Sequence, residues 1–137
     1  QPDENKHCYG YVAAFTNHYD HNPENYIIYT MGNADGADMY MLGRTYGARI
    51  TRFKRFSSIT DYDELGRLFD NGFSMFSTTD KHVVAITQFT VSDKMRLFGG
   101  GTRTIFSNTL VMDPLVGRII FGNQYFSNNS IITWIKW

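Results

Sequence analysis

Apolar and polar residues alternate along most of this chain, and the alternation predicts strands. In ARITRFKRF, Ala48 to Phe56, a period of two puts Ile50, Arg52, Lys54 and Phe56 on one face and Arg49, Thr51, Phe53 and Arg55 on the other. Neither face is cleanly apolar, so one end of this strand is expected to protrude from its sheet. From Val83 to Val91 the pattern changes: Val83, Ala85, Thr87 and Phe89 fall on one face, Val84, Ile86 and Gln88 on the other. A strand apolar on both faces predicts a central, covered position.

The same reading assigns strands to CYGYVAAFTN (Cys8 to Asn17), NYIIYTM (Asn25 to Met31), MYMLG (Met39 to Gly43), the segment through Phe73 and Met75, TRTIFSNTLVM, GRIIFGNQYF and SIITWIKW. Turn formers separate them: NHYDHNPEN, GNADGAD, Asp113-Pro114, and Ser127 to Asn129. A helix competes only in Ser57 to Gly72, where Thr60 or Asp61 could cap it, Glu64 lies near its first turn and Asn71-Gly72 could end it; Gly66 limits it to one or two turns. About eight strands at short intervals predict a single all-β domain, an antiparallel β-sandwich with at most one short helix, spanning residues 1–137 behind a loose arm over residues 1–7.

Composition supports the class. The aromatic share is 16%, with 11 Phe and 9 Tyr, which favours strands, and 137 residues suit one core. Thirteen basic residues balance 13 acidic ones, which argues against a general nucleic-acid binder, and no apolar run reaches the roughly 18–20 residues of a membrane-spanning helix, so no membrane insertion is expected. The polar start QPDENKHC suggests a processed mature chain or an excised domain. Cys8 is the single cysteine, so an internal disulfide is excluded; a buried thiol or a bridge to another chain remain. The sequon Asn128-Asn129-Ser130 is a candidate glycosylation site and fits a secreted chain.

Each chemical motif has a plainer competitor. His18-x-x-His21 with Asp20 offers ligands for zinc or copper, but only His7, Cys8 or His82 could complete the set, so an ordinary loop is favoured. Asn33, Asp35 and Asp38 lack the closing Glu of a calcium loop. Gly99-Gly100-Gly101-Thr102 runs into a strand rather than the Lys and helix of a phosphate loop. Asp80, Lys81 and His82 are consecutive, and an extended chain turns Lys81 away from its neighbours, so a hairpin turn is expected instead of a proton shuttle. No G-x-S-x-G elbow or cofactor fingerprint occurs. Neither a catalytic site nor a cofactor is expected.

The most one-sided stretch is Arg44, Arg49, Arg52, Lys54 and Arg55, with Tyr46 among them and no acid between Arg44 and Arg55. Such residues suit an acidic glycan or mucin segment, and they equally suit a sheet edge kept basic against association. The succession GYVAAFTNHYDHNPENYIIYT, ARITRF, DNGFSMFSTTDKHVVAITQFTVSD, TRTIFSNTLVM and SIITWI resembles the N-terminal domain family of IgGFc-binding proteins. The resemblance implies an all-β extracellular module used in adhesion or gel-forming assemblies, with no catalytic residues to carry over. The expected function is therefore a secreted, non-catalytic binding or adhesion module whose partner is an extracellular protein or glycan. The alternatives are a structural subunit that self-associates through its strands and, less favoured, a small secreted enzyme.

Overall fold

The computed structural model describes residues 8–17, 19–27, 36–61, 63–79, 82–96 and 102–137. The expectations that fall on the N-terminal arm, His18, Asn33, Asp35, Asp80, Lys81 and Gly99 to Gly101 lie outside them.

Six strands form one antiparallel sheet: β1 (Ile50–Arg55), β2 (Ser74–Thr79), β3 (His82–Arg96), β4 (Thr102–Asp113), β5 (Arg118–Phe121) and β6 (Ile131–Lys136), ordered β1-β6-β2-β3-β4-β5. The described chain is mostly β, as the period-two segments predict. β3 is interior and apolar on both faces, for Val83 and Ala85 join one buried cluster while Val84 and Ile86 join the other. β1 lies at a margin, which is why its two faces are mixed.

Two expectations are corrected. The sheet does not close, and among the described residues helices rather than a second sheet cover its faces. Four α-helices occur among the described residues instead of at most one: α1 (Cys8–Thr16), α2 (Glu24–Ile27), α3 (Gly36–Thr45) and α4 (Asp63–Asp70). Of the segments read as the first strands, Cys8–Thr16 is α1, the described part of the second falls in α2, and Met39 to Gly43 lie in α3. In α1, Cys8, Tyr9, Val12 and Ala13 are buried while Tyr11 and Phe15, four residues apart, turn outward. Because those outward positions are themselves apolar, the helical period is hidden in the sequence. In α3 the inward residues Met39, Leu42 and Gly43 have helical spacing, and the helix closes on Gly47, whose φ of 73° only glycine adopts freely. A Cβ on Gly43 would lie 2.9 Å from Thr51 Cγ2, so the missing side chain lets α3 approach β1 and β6 closely.

The Asn22 side chain accepts the Glu24 N–H (3.2 Å) where α2 begins, with Pro23 in the turn immediately before the helix. α4 forms where predicted: Asp61 accepts the Glu64 N–H (3.3 Å) and Gly72, at φ 88°, ends the helix. α1–α3 pack on Phe76, Val83, Ala85, Met112 and Ile135; on the opposite face, Leu65 of α4 packs with Met75, Val84, Val111, Ile132 and Trp134.

Candidate functional site

At the end of β1 nearest α3 the chain leaves an open cleft lined by Asn17, Tyr19, Tyr46, Gly47, Arg49 and Trp137. Three segments build it: the α1–α2 loop, the turn after α3, and the end of β6. Its floor is aromatic. Tyr26 stacks tilted on Tyr46, with ring centroids 4.7 Å apart, and meets Trp137 edge-on at 6.2 Å. The floor is also fixed by polar contacts, since the Trp137 indole N–H donates to Thr16 Oγ1 (3.0 Å), the Asn17 amide donates to the Tyr26 hydroxyl (2.9 Å), and that hydroxyl donates to the Asp20 carbonyl (2.7 Å). Burial pushes the Tyr26 phenol up from its ordinary value, so it remains a neutral donor. Tyr19, 86% exposed, stands at the rim. Arg49 is exposed and has no acidic partner among the described residues. The cleft encloses about 440 Å³, within the range of small-molecule sites, and it joins apolar ring faces to one unneutralised guanidinium.

The six basic and aromatic residues singled out in the sequence do not form one patch. Tyr46 and Arg49 meet in this cleft. Arg44 turns back along α3, donating to the Tyr40 hydroxyl (3.0 Å) and lying 5.8 Å from that ring's centroid. Arg52 and Lys54 project to the α4 face, where they line a smaller groove of about 120 Å³ with Ile59, Glu64 and Trp134. There the Arg52 guanidinium is paired with Glu64 and lies 5.0 Å from the Trp134 ring centroid. Arg55, exposed at the far end of β1, is in neither recess.

The remaining candidates hold local structure. Asp20 accepts the Asn22 N–H (2.9 Å) and the Asn25 amide (2.8 Å), contacts that hold its carboxyl below the usual range, and the His21 ring nitrogen Nδ1 lies 2.7 Å from the Ala14 carbonyl. No cluster suited to a metal ion occurs among the described residues, which do not include His18. Cys8 is buried between α1 and the sheet, and that burial raises its thiol; a bridge to another chain would need its sulfur at the surface. Asn128 is exposed in the turn before β6.

One polar cluster was not foreseen. His82, the residue that follows the expected turn, directs Nε2 to Asp113 Oδ1 (2.8 Å), while Asp113, 5% exposed, also accepts from the Leu115 N–H (2.9 Å) and the Tyr125 hydroxyl (3.2 Å). An ionised carboxylate only accepts, so Nε2 carries the ring proton. Three donors satisfy the buried charge and tie the start of β3 to the end of β4 and to the 3-10 turn over Asn123–Tyr125. Burial, with Asp113 beside it, pushes the Tyr125 phenol up to about 12. These partners stand 31 and 12 residues apart, so no local motif announces them.

Comparison of the chain with protein-family models, curated proteins and solved structures finds no match.

Proposed function

We propose that the chain is a non-catalytic extracellular binding module that receives an acidic sugar unit in the cleft between Tyr19, Tyr46 and Trp137. The observation that carries this reading is Arg49, an exposed guanidinium without an acidic partner among the described residues, set beside an aromatic floor held by hydrogen bonds. Ring faces cover the apolar side of a pyranose, and the guanidinium meets its carboxylate or sulfate through paired N–H donors. The resemblance to IgGFc-binding N-terminal domains and the exposed sequon at Asn128 support an extracellular setting.

Equilibrium titration with uronic-acid, sulfated and sialylated oligosaccharides, each beside its neutral counterpart, tests the reading. Binding should be confined to the acidic member of a pair, weaken with added salt, and fall about tenfold or more in Arg49→Gln. Equal binding of acidic and neutral sugars, or none at all, contradicts it.

A further inference from the structure

The two margins of the sheet are finished differently. β1 carries Arg52, Lys54 and Arg55, the kind of charge that blunts an edge. β5 is the four-residue strand Arg-Ile-Ile-Phe, and beyond it no strand pairs among the described residues. Phe121 is 80% exposed and Ile119 50%, and Leu115 and Val116 in the preceding turn are exposed as well.

The backbone of β5 fixes what could cover it. Gly122 N–H donates to the Thr109 carbonyl (3.0 Å), and along an antiparallel pair the residues that exchange bonds alternate. Ile120, opposite Val111, and Arg118, opposite Asp113, therefore direct their N–H and C=O groups to β4, and Ile119 and Phe121 direct theirs away from the sheet.

We propose that β5 pairs with β5 of a second copy, antiparallel about a two-fold axis through Ile120, so that two sheets become one. In this register Ile119 of each copy lies opposite Phe121 of the other on the α1–α3 side, the two Ile120 residues face each other on the α4 side, and the outward backbone groups of Ile119 and Phe121 satisfy one another. The strand is complementary to itself. β1 is the wrong occupant, because it would set Arg52, Lys54 and Arg55 against apolar side chains.

Taking roughly 200 Å² for a fully exposed large apolar side chain, Ile119 and Phe121 cover on the order of 500 Å² per pair of copies. Backbone, Leu115 and Val116 bring the join toward the lower end of specific interfaces, about 1,200 Å², which corresponds to a weak, concentration-dependent dimer. The clefts at the β1 margins would then lie about 50 Å apart at strand spacings of about 4.8 Å, giving a bivalent binder. That consequence rests on the proposed function; the dimer does not.

Sedimentation equilibrium of the full chain over a concentration series up to about 1 mM tests the dimer. Reversible dimerisation is expected, with its dissociation constant raised about tenfold or more in Phe121→Lys, a surface change that leaves the thermal midpoint in place. A monomer throughout, or a dimer indifferent to Phe121→Lys, overturns the proposal. The register is tested by Ile120→Cys: residues at position 120 form a non-hydrogen-bonded pair across the axis, at a Cα separation that suits a disulfide. Mild oxidation should link this variant into dimers far faster than Thr60→Cys, an exposed control on the loop before α4, while the wild type, with Cys8 buried, stays unlinked. Linkage no faster than the control refutes the register.

Discussion

Arg52 of β1 and Arg49, the residue just before β1, each stand beside a tryptophan, Trp134 of β6 and Trp137 just after it. Arg52 lies over Trp134 and is neutralised by Glu64 in a groove of about 120 Å³; Arg49 stands with Trp137 in a cleft of about 440 Å³ and has no acidic partner among the described residues. The residue types are the same and the consequences opposite. The first arginine is spent on the fold, capping a buried ring and fixing α4 to the sheet. The second lies where α4 does not reach, so its charge is available to a ligand. Cationic character in a sequence therefore identifies a binding residue only once the acids that fold against it are known.

The largest effect should separate the tryptophans. Trp134 is 3% exposed, so Trp134→Ala should cost about 3–5 kcal/mol of stability in chemical denaturation, whereas Trp137→Ala, at a half-buried position, should cost about 1–2 kcal/mol. Similar losses would erase the distinction between a core ring and a cleft floor.

Next is the exchange of binding for stability. Arg49→Gln should weaken an acidic oligosaccharide by about 1.5 kcal/mol and change stability by less than about 0.5 kcal/mol; Arg52→Gln should leave affinity unchanged and lower stability by about 1 kcal/mol through the lost Glu64 pair and ring contact. Calorimetric titration and urea melts on the same two variants read both axes.

Alkaline titration gives the smallest effect and needs no ligand. The Tyr40 phenol, held down by the Arg44 guanidinium, should ionise before Tyr26, and Tyr125 should follow at about 12. The folded state keeps the Tyr125 proton above the ordinary value of 10.0 while the unfolded chain releases it there, so the contribution of Tyr125 to stability is level below pH 10 and declines from 10 toward 12. Tyr125→Phe should flatten that decline in melts across this range.

Much of the sheet could be read from the sequence, because β1 and the strands from β2 onward repeat at two, the period a sheet imposes, and α4 carried its cap and stop as residues, Asp61 and Gly72. The N-terminal third could not. Tyr11 and Phe15 look outward from α1 yet are aromatic, so nothing polar marked the helical face. Of the basic cluster, the sequence brought out the residues and left their partners hidden: Glu64 is 12 positions from Arg52, and Trp137 and Asn17 reach Arg49's cleft from opposite ends of the described chain. The partner of His82 was hidden for the same reason, since Asp113, which also bonds Tyr125, is 31 positions away.

The two tryptophans also supply the most direct test. Their indole N–H groups give two signals in a proton–nitrogen correlation spectrum: Trp137, bonded to Thr16 at the cleft floor, and Trp134, buried beneath Arg52. Titration with a sulfated or uronic-acid disaccharide should shift the Trp137 signal saturably and leave that of Trp134 in place, with the shift lost in Arg49→Gln. Movement of the Trp134 signal with Trp137 unmoved would put the ligand in the Arg52 groove and contradict the assignment of the open cleft as the binding site.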